Sequence, residues 1–144
     1  MQEKVIFDTN IYVGIFNRGL YQEEIDGFNK VMYLAHPVLH ELWMGAKGKA
    51  EIRHMISFGN RFIKLNRLIQ PEPTTQILIG RTCQKLRSLG RLNPRQPRIY
   101  NDVCIALLAH QIGATVVTRD ITDFEQIRQV IDFSFRDVIE SQKV

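Results

Sequence analysis

The chain has 144 residues, of which 44% are hydrophobic and 24% are charged. This size and composition suit a single folded domain over residues 1–144 and argue against bulk disorder. No apolar run approaches the roughly 18 residues that cross a bilayer, and the sequence opens without the pattern of a signal peptide. We therefore expect a cytoplasmic protein with no membrane segment.

The net charge of +4 is distributed unevenly along the chain. Residues 42–101 hold twelve Lys or Arg and two acids, whereas 1–41 and 102–144 together hold seven basic residues and thirteen acids. Taken alone, the basic stretch is typical of a solvated helix face and loop. Beside a carboxylate cluster it indicates a track for a phosphate backbone, and Arg91, Arg95 and Arg98 are then the candidate RNA-binding residues.

The spacing of apolar residues predicts alternating strands and helices in the first half of the chain. In order, we predict a strand at 5–7, a helix at 11–16, an amphipathic helix at 22–32, a strand at 33–35, a helix from Pro37 to about Gly45, a helix at 50–65 and a short strand at 68–69.

The second half continues the same alternation. We predict a helix from Thr74 to Leu89, a loop at 91–101, a helix at 102–111 capped by Asn101, a strand at 115–118, a helix opened by the capping box Thr122–Glu125 and a last strand at 130–135. Because no hairpin signal separates the strands, this order favours a parallel sheet flanked by helices.

Four acids fall where such a sheet carries its functional groups, beyond the carboxyl ends of the strands. Asp8 and Asp120 follow predicted strands, Glu41 lies early in the helix after the second strand, and Asp102 opens a helix. Several carboxylates in one pocket repel one another unless a cation lies between them. Because the ligands are oxygens alone, the sequence predicts one or two Mg²⁺ or Mn²⁺ ions, which could activate water against a phosphodiester.

Each acid also has a simpler structural interpretation. Asp8 could cap the next helix, Asp102 could stabilise a helix start through the dipole, and Glu41 could pair with a basic residue. Asp123 fits the first helical position behind the capping box, so Asp120 is the preferred fourth ligand. The choice between Asp120 and Asp123 stays open at this point.

Four segments in a fixed order resemble a known family. They are Val5-Ile6-Phe7-Asp8-Thr9-Asn10, Leu39-His40-Glu41-Leu42-Trp43-Met44-Gly45-Ala46, Asn101-Asp102-Val103-Cys104-Ile105-Ala106-Leu107-Leu108-Ala109 and Val116-Val117-Thr118-Arg119-Asp120-Ile121-Thr122-Asp123-Phe124. Together they resemble the PIN-domain ribonucleases, especially the VapC-type toxins of toxin–antitoxin pairs, over essentially the whole chain.

The resemblance implies a three-layer α/β/α fold with strand order 3-2-1-4-5, and an endoribonuclease that depends on Mg²⁺ or Mn²⁺. By position it implies Asp8, Glu41 and Asp102 as core acids, Asp120 as the fourth, and support from Thr9, Asn10, Thr118 and Asp123. It also implies a homodimer and, for the toxin branch, a small antitoxin whose C-terminal segment blocks the active-site groove.

Two other functions fit the sequence less well. A phosphatase with Asp8 as its nucleophile typically needs a second aspartate two residues on, where this chain has Asn10. A non-catalytic module on the same fold that binds nucleic acid or protein predicts that acids have been lost, yet all four are present. A non-catalytic or housekeeping PIN-like module that binds or processes RNA without an antitoxin is the alternative that stays open. The metal-dependent endoribonuclease is therefore the favoured hypothesis.

Overall fold

A computed structural model describes residues 2–26 and 29–140 of the chain. Its elements are β1 (Glu3–Phe7), α1 (Thr9–Arg18), α2 (Gln22–Ile25), β2 (Lys30–Ala35), α3 (His36–Met44), α4 (Gly48–Lys64), β3 (Leu68–Ile69), α5 (Pro73–Leu89), α6 (Pro97–Ile112), β4 (Thr115–Thr118), α7 (Ile121–Arg128) and β5 (Ser134–Asp137). Across those residues, no helix combines the length and the apolarity that spanning a membrane requires.

The five strands form one parallel sheet in the order β3-β2-β1-β4-β5. In its register, Ile6 of β1 lies between Tyr33 of β2 and Val116 of β4. Parallel neighbours need a crossover between them, and helices provide these crossovers and cover the sheet. The structure thus confirms the expected three-layer α/β/α architecture and the strand order 3-2-1-4-5.

Helix α6 is the most buried helix of the molecule. Every residue from Asp102 to Ala109 is buried, and α6 packs against β1, β4, α3, α5 and α7. A helix that is apolar on nearly all sides has to be enclosed by other elements. Because Asp102 lies at the start of this buried run, its carboxylate is held inside the molecule rather than on its surface.

The predicted amphipathic helix over 22–32 is wrong beyond its first turn. Helix α2 ends at Ile25, and Lys30–Ala35 forms strand β2, which pairs along β1 from Glu3 to Ile6. The part of that prediction that falls on Gly27 and Phe28 lies outside the described residues. Pairing with β1 overrides the local spacing of apolar residues, as tertiary contacts commonly do in strands.

The predicted start of α6 is also wrong. The helix begins at Pro97, five residues before the expected start at Asp102, and Asn101 lies inside it rather than at its cap. Proline suits the first turn of a helix because its fixed φ is helical and its missing N–H is not needed there. Arg98, expected in a loop, is therefore a residue of the first helical turn.

Two predictions near the C-terminal end need correction as well. Asp120 is the N-cap residue of α7, so Thr122 is already helical and the predicted capping box is wrong. The last strand is Ser134–Asp137 rather than 130–135, because its ladder with β4 pairs Thr115 with Ser134 and Thr118 with Asp137.

Candidate metal centre

Neighbouring strands β1 and β4 bring two acids to the same edge of the sheet. Asp8 directly follows β1 and caps α1, where its Oδ1 accepts a hydrogen bond of 2.8 Å from the backbone N–H of Thr9. Asp120 lies two residues beyond the end of β4, at the N-cap position of α7, but its side chain makes no capping bond. Its carboxylate is therefore left for other contacts.

Thr118, the last residue of β4, connects these two acids. Its hydroxyl donates a hydrogen bond of 2.8 Å to Asp8 Oδ2 and accepts one of 2.9 Å from the backbone N–H of Asp120. Thr118 is fully buried, and its bond to Asp8 is shielded from water, whereas the bond from Asp120 is partly buried. A single buried hydroxyl thus fixes the spacing of the segments that carry Asp8 and Asp120.

Three aspartates form a carboxylate cluster at this edge of the sheet. Asp102, Asp120 and Asp123 each offer a carboxylate oxygen, and these three oxygens lie within 4.8 Å of one another. Asp102 is only 6% exposed, and its Oδ2 has no hydrogen-bond partner among the residues that the structure describes. A buried, unpartnered carboxylate oxygen is costly in a folded protein, and a bound cation would relieve that cost.

Burial and neighbouring negative charges disfavour the ionised form of the acids in and beside this cluster, so their pKa values are raised. Burial raises the pKa of Asp102 to about 8, and the charges of Asp8, Asp120 and Asp123 add to the effect while Arg98 opposes it. Burial also raises the pKa of Asp8 above its usual value, against the hydrogen bonds from Thr118 and Thr9. The pKa of Asp120 is raised by burial and then by Asp123.

Glu41 joins the site from the other flank, on helix α3. The hydroxyl of Thr9 donates a hydrogen bond of 3.0 Å to Glu41 Oε1, and the charge of Glu41 contributes to the raised pKa of Asp8. Glu41 lies outside the three-aspartate cluster and is half-buried. Thr9 therefore couples Glu41 to Asp8 much as Thr118 couples Asp120 to Asp8.

Three other residues expected at the site, Asn10, Arg91 and Arg95, are exposed on the surface. Asn10 is exposed, and its side chain makes no hydrogen bond to residues 2–26 or 29–140. Arg95 is also exposed, and Arg91 donates a hydrogen bond to the side chain of Gln129. These two arginines lie on the surface, where a phosphate backbone could reach them.

Arg98 has a position that the sequence reasoning did not find. Its guanidinium contacts the carboxylate of Asp123 and lies 3.3 Å from Asp120 Oδ2. Because α6 begins at Pro97, Arg98 precedes Asp102 by four residues, and residues with this spacing share one helix face. Reading Pro97 as the helix start would have placed Arg98 beside the acids.

The donor set fits a hard divalent cation. Asp102, Asp120 and Asp123, with Asp8 close enough for its charge to act on Asp102, supply carboxylate oxygens and neither nitrogen nor sulfur, which is the chemistry that Mg²⁺ and Mn²⁺ prefer. The unpartnered oxygen of Asp102 is the structural observation that supports this fit. No such observation points to zinc.

Comparison with solved structures identifies the fold. Over 93% of this chain and 97% of the matched chain, it superposes on VapBC-1 from nontypeable Haemophilus influenzae with a TM-score of 0.70 and 21% sequence identity. A chain of VapBC2 from Rickettsia felis, bound to a DNA fragment from their promoter, matches with a TM-score of 0.69, 22% identity and coverage of 94% and 99%.

A third structure, VapBC-5 from Mycobacterium tuberculosis, belongs to the VapBC family of toxin–antitoxin systems. It matches with a TM-score of 0.55, 19% identity and coverage of 94% of this chain and 97% of that one. No protein-family model and no curated protein sequence matches the chain. At these identities the comparisons confirm the PIN-like α/β fold suggested by the four sequence segments.

Proposed function

We propose, from the PIN-like fold and the carboxylate centre together, that the chain is an endoribonuclease that depends on Mg²⁺ or Mn²⁺. The observation that carries the proposal is Asp102, whose buried Oδ2 has no hydrogen-bond partner within the described residues and whose carboxylate belongs to the same cluster as those of Asp120 and Asp123. A folded protein retains such a repulsive arrangement where function uses it. Metal-assisted cleavage of a phosphodiester is the reaction that this arrangement best supports.

The chain's own residues would divide the work of binding and orientation. Asp8, Asp102, Asp120 and Asp123 would hold one or two ions, while Thr118 fixes Asp8 against the segment of Asp120. When bound, the ion supplies a Lewis acid that lowers the pKa of a water and binds the scissile phosphate. Glu41, held by Thr9 outside the three-aspartate cluster, is suited to accept a proton from water.

Substrate binding is assigned to three arginines, of which Arg98 contacts the acids of this centre. Arg91 and Arg95 are exposed in the segment that leads into α6, and Arg98 lies in the first turn of that helix beside the acids. Arginine recognises phosphate with a planar fork of donors, so this surface suits a single-stranded RNA backbone. The cytoplasmic location expected from the sequence agrees with an RNA substrate.

We also propose that the chain is the toxin of a type II toxin–antitoxin pair and forms a homodimer. The matched VapBC structures come from such systems, which supports a small antitoxin as the partner. A cavity of about 430 Å³, lined mainly by apolar residues of α1, α3, α4 and the turn after α3, includes Glu41 in its lining. The C-terminal segment of an antitoxin lying in this groove would reach the proposed active site.

The nuclease is tested by incubating purified protein with mixed RNA in Mg²⁺, in Mn²⁺ and in EDTA. We expect cleavage with either metal, none in EDTA, and a loss of about 100-fold or more in Asp102→Asn. Asp132→Asn, an exposed acid outside the proposed site, is the matched control and should retain wild-type cleavage. Cleavage that persists in EDTA and in Asp102→Asn would show a contaminating or metal-independent nuclease and reject the proposal.

The toxin assignment has its own test. Induced expression of the wild-type chain should arrest bacterial growth, expression of Asp102→Asn should not, and a small reading frame immediately upstream should relieve the arrest when co-expressed. If cells expressing active nuclease grow normally, the chain is not a toxin, whatever RNA it cleaves.

A further inference from the structure

Arg98 contacts the same carboxylates that the proposed metal would use. Its guanidinium touches Asp123 and lies 3.3 Å from Asp120 Oδ2, and both aspartates share the 4.8 Å cluster with Asp102. A guanidinium and a divalent ion that bind the same two carboxylates lie close enough to repel each other strongly. Metal and Arg98 are therefore alternatives at the outer half of the cluster.

We propose that Arg98 is an exchangeable side chain that binds Asp120 and Asp123 in the metal-free protein and moves to the RNA phosphate when metal binds. This inference rests on the proposed nuclease function and deepens it, because it assigns Arg98 to two successive anions. It also predicts that metal and RNA bind cooperatively, since the arriving ion releases a substrate-binding group.

Because the side chain of Arg98 is exposed, little free energy is lost when it leaves Asp120 and Asp123. The side chain of Arg98 is 62% exposed, whereas those of Asp120 and Asp123 are 33% and 13% exposed. An ion pair with a mostly solvated partner contributes little stability, so a divalent ion can replace it. The guanidinium is also weakly hydrated, which lowers the cost of moving it from one anion to another.

The position of Arg98 determines where it can go after release. It lies in the first turn of α6, one turn before Asp102, so its backbone remains fixed while its long side chain moves. A phosphate bound beside Asp102 and Asp120 would lie within reach of that side chain. A planar guanidinium can bind two phosphate oxygens at once, which favours this second partner.

The exchange is tested first without RNA, by titrating Mn²⁺ into the metal-free protein in a calorimeter. Arg98→Gln removes the competing cation, and we expect Mn²⁺ to bind about threefold to tenfold more tightly than to the wild type. Arg95→Gln removes the same charge from an exposed neighbour that has no contact with the acids among the described residues, so its affinity should stay within about twofold of the wild type. Unchanged or weaker binding in Arg98→Gln overturns the competition.

The second arm measures RNA cleavage, at saturating Mn²⁺ for the KM and across a series of Mn²⁺ concentrations for the metal dependence. Arg98→Gln should raise the KM for RNA more than Arg95→Gln does, while it lowers the Mn²⁺ concentration that gives half of the maximal rate. An unchanged KM overturns the transfer of Arg98 to RNA. Because Arg98 is largely exposed, the variant should fold normally, which a thermal melt verifies.

The two proposals fail in different ways. If the wild type takes up no Mn²⁺ and cuts no RNA, the nuclease proposal fails and Arg98 has no ion to compete with. If the wild type binds Mn²⁺, loses that binding in Asp102→Asn, and gains no affinity in Arg98→Gln, only the role of Arg98 is wrong.

Discussion

The hydroxyl of Thr118 donates a 2.8 Å hydrogen bond to Asp8 Oδ2 across the boundary between β4 and β1. The two residues are 110 positions apart in the chain, and both are buried. The same hydroxyl accepts the backbone N–H of Asp120. One side chain thus joins the first and last segments that carry the proposed metal ligands.

We predict that Thr118→Val destabilises the protein by about 1–3 kcal/mol, because it leaves a buried carboxylate oxygen of Asp8 and the partly buried N–H of Asp120 without their partner. Valine keeps the shape of threonine, so little of this cost comes from lost packing. Thr118→Ser retains the hydroxyl and is the matched control. Urea unfolding in EDTA measures the effect, and equal stability of the Val and Ser variants would show that the hydrogen bonds contribute nothing.

Glu24 is a buried carboxylate that does not belong to the cluster of Asp102, Asp120 and Asp123. It accepts hydrogen bonds from Arg136 and from the backbone of Ile139, and it pairs with Lys30 at 2.6 Å. Burial alone would raise the pKa of Glu24, but the hydrogen bonds from Arg136, Lys30 and Ile139 lower it to about 2. The network ties α2 to β2 and to the segment around β5.

The lowered pKa of Glu24 predicts how stability depends on pH. A carboxyl whose pKa is lower in the folded state than in the unfolded state stabilises fully above its unfolded pKa, and this contribution disappears as the pH falls towards the folded value. The pKa of Glu24 falls from 4.5 to about 2, which corresponds to about 3 kcal/mol of folding free energy. This stabilisation is lost as the pH falls from 4.5 to about 2. Glu24→Gln should lose a similar amount near neutral pH.

The matched control for Glu24 is its exposed neighbour Glu23. Denaturant unfolding from neutral to acidic pH should show a flatter acid limb for Glu24→Gln and an unchanged one for Glu23→Gln. If both variants follow the wild type, Glu24 is not the group whose protonation weakens the fold in acid.

At two helical glycines, Gly14 and Gly80, we predict that substitution by alanine changes stability in opposite directions. At Gly14 in α1, an added Cβ would lie 2.6 Å from Tyr21 Cε2, so the buried site has no room for it. At Gly80 in α5, an added Cβ meets nothing within 4 Å. We expect Gly14→Ala to destabilise by about 1–3 kcal/mol through overpacking, and Gly80→Ala to stabilise by up to about 1 kcal/mol through helix propensity.

Thermal unfolding of the two alanine variants distinguishes these effects. The melting temperature should fall for Gly14→Ala and rise for Gly80→Ala relative to the wild type. A rise for both would mean that the ring of Tyr21 moves aside without cost.

The layered fold was predictable because its signals are local. Alternating strand and helix patterns without hairpin turns imply a parallel sheet, and the clearest strand, Thr115–Thr118, appears at its predicted residues. Strand β2 was missed at its start because Lys30, Val31 and Met32 become a strand through pairing with β1. That pairing depends on residues distant in sequence, which a local pattern does not contain.

The sequence predicted where two acids of the candidate site would lie, but it did not predict which side chains contact them. Strand ends indicated where Asp8 and Asp120 would lie, whereas the choice between Asp120 and Asp123 depended on where α7 begins. Asp123 belongs to the same cluster of carboxylate oxygens as Asp120. The contact of Arg98 with both depended on the start of α6 at Pro97, and strong capping residues at Asn101 and Asp102 concealed that start.

We predict that Asp102→Asn raises the stability of the metal-free protein but removes the stabilisation by Mn²⁺. In EDTA at mildly alkaline pH, we expect the variant to be more stable than the wild type by about 1 kcal/mol, because it removes a buried charge that Asp8, Asp120 and Asp123 repel. Its Oδ2 has no hydrogen-bond partner in the described part of the chain, so the amide replaces little that the carboxylate provided.

Adding Mn²⁺ should reverse this order of stability. A ligand that binds only the folded state raises stability with its concentration, so the wild type should gain stability in Mn²⁺ while Asp102→Asn gains almost none. The exposed-acid variant Asp132→Asn should respond to Mn²⁺ as the wild type does. Thermal unfolding across a series of Mn²⁺ concentrations provides the measurement. An equal shift in all three proteins would place the bound ion elsewhere, and Asp102 would then be a buried acid with no role in holding metal.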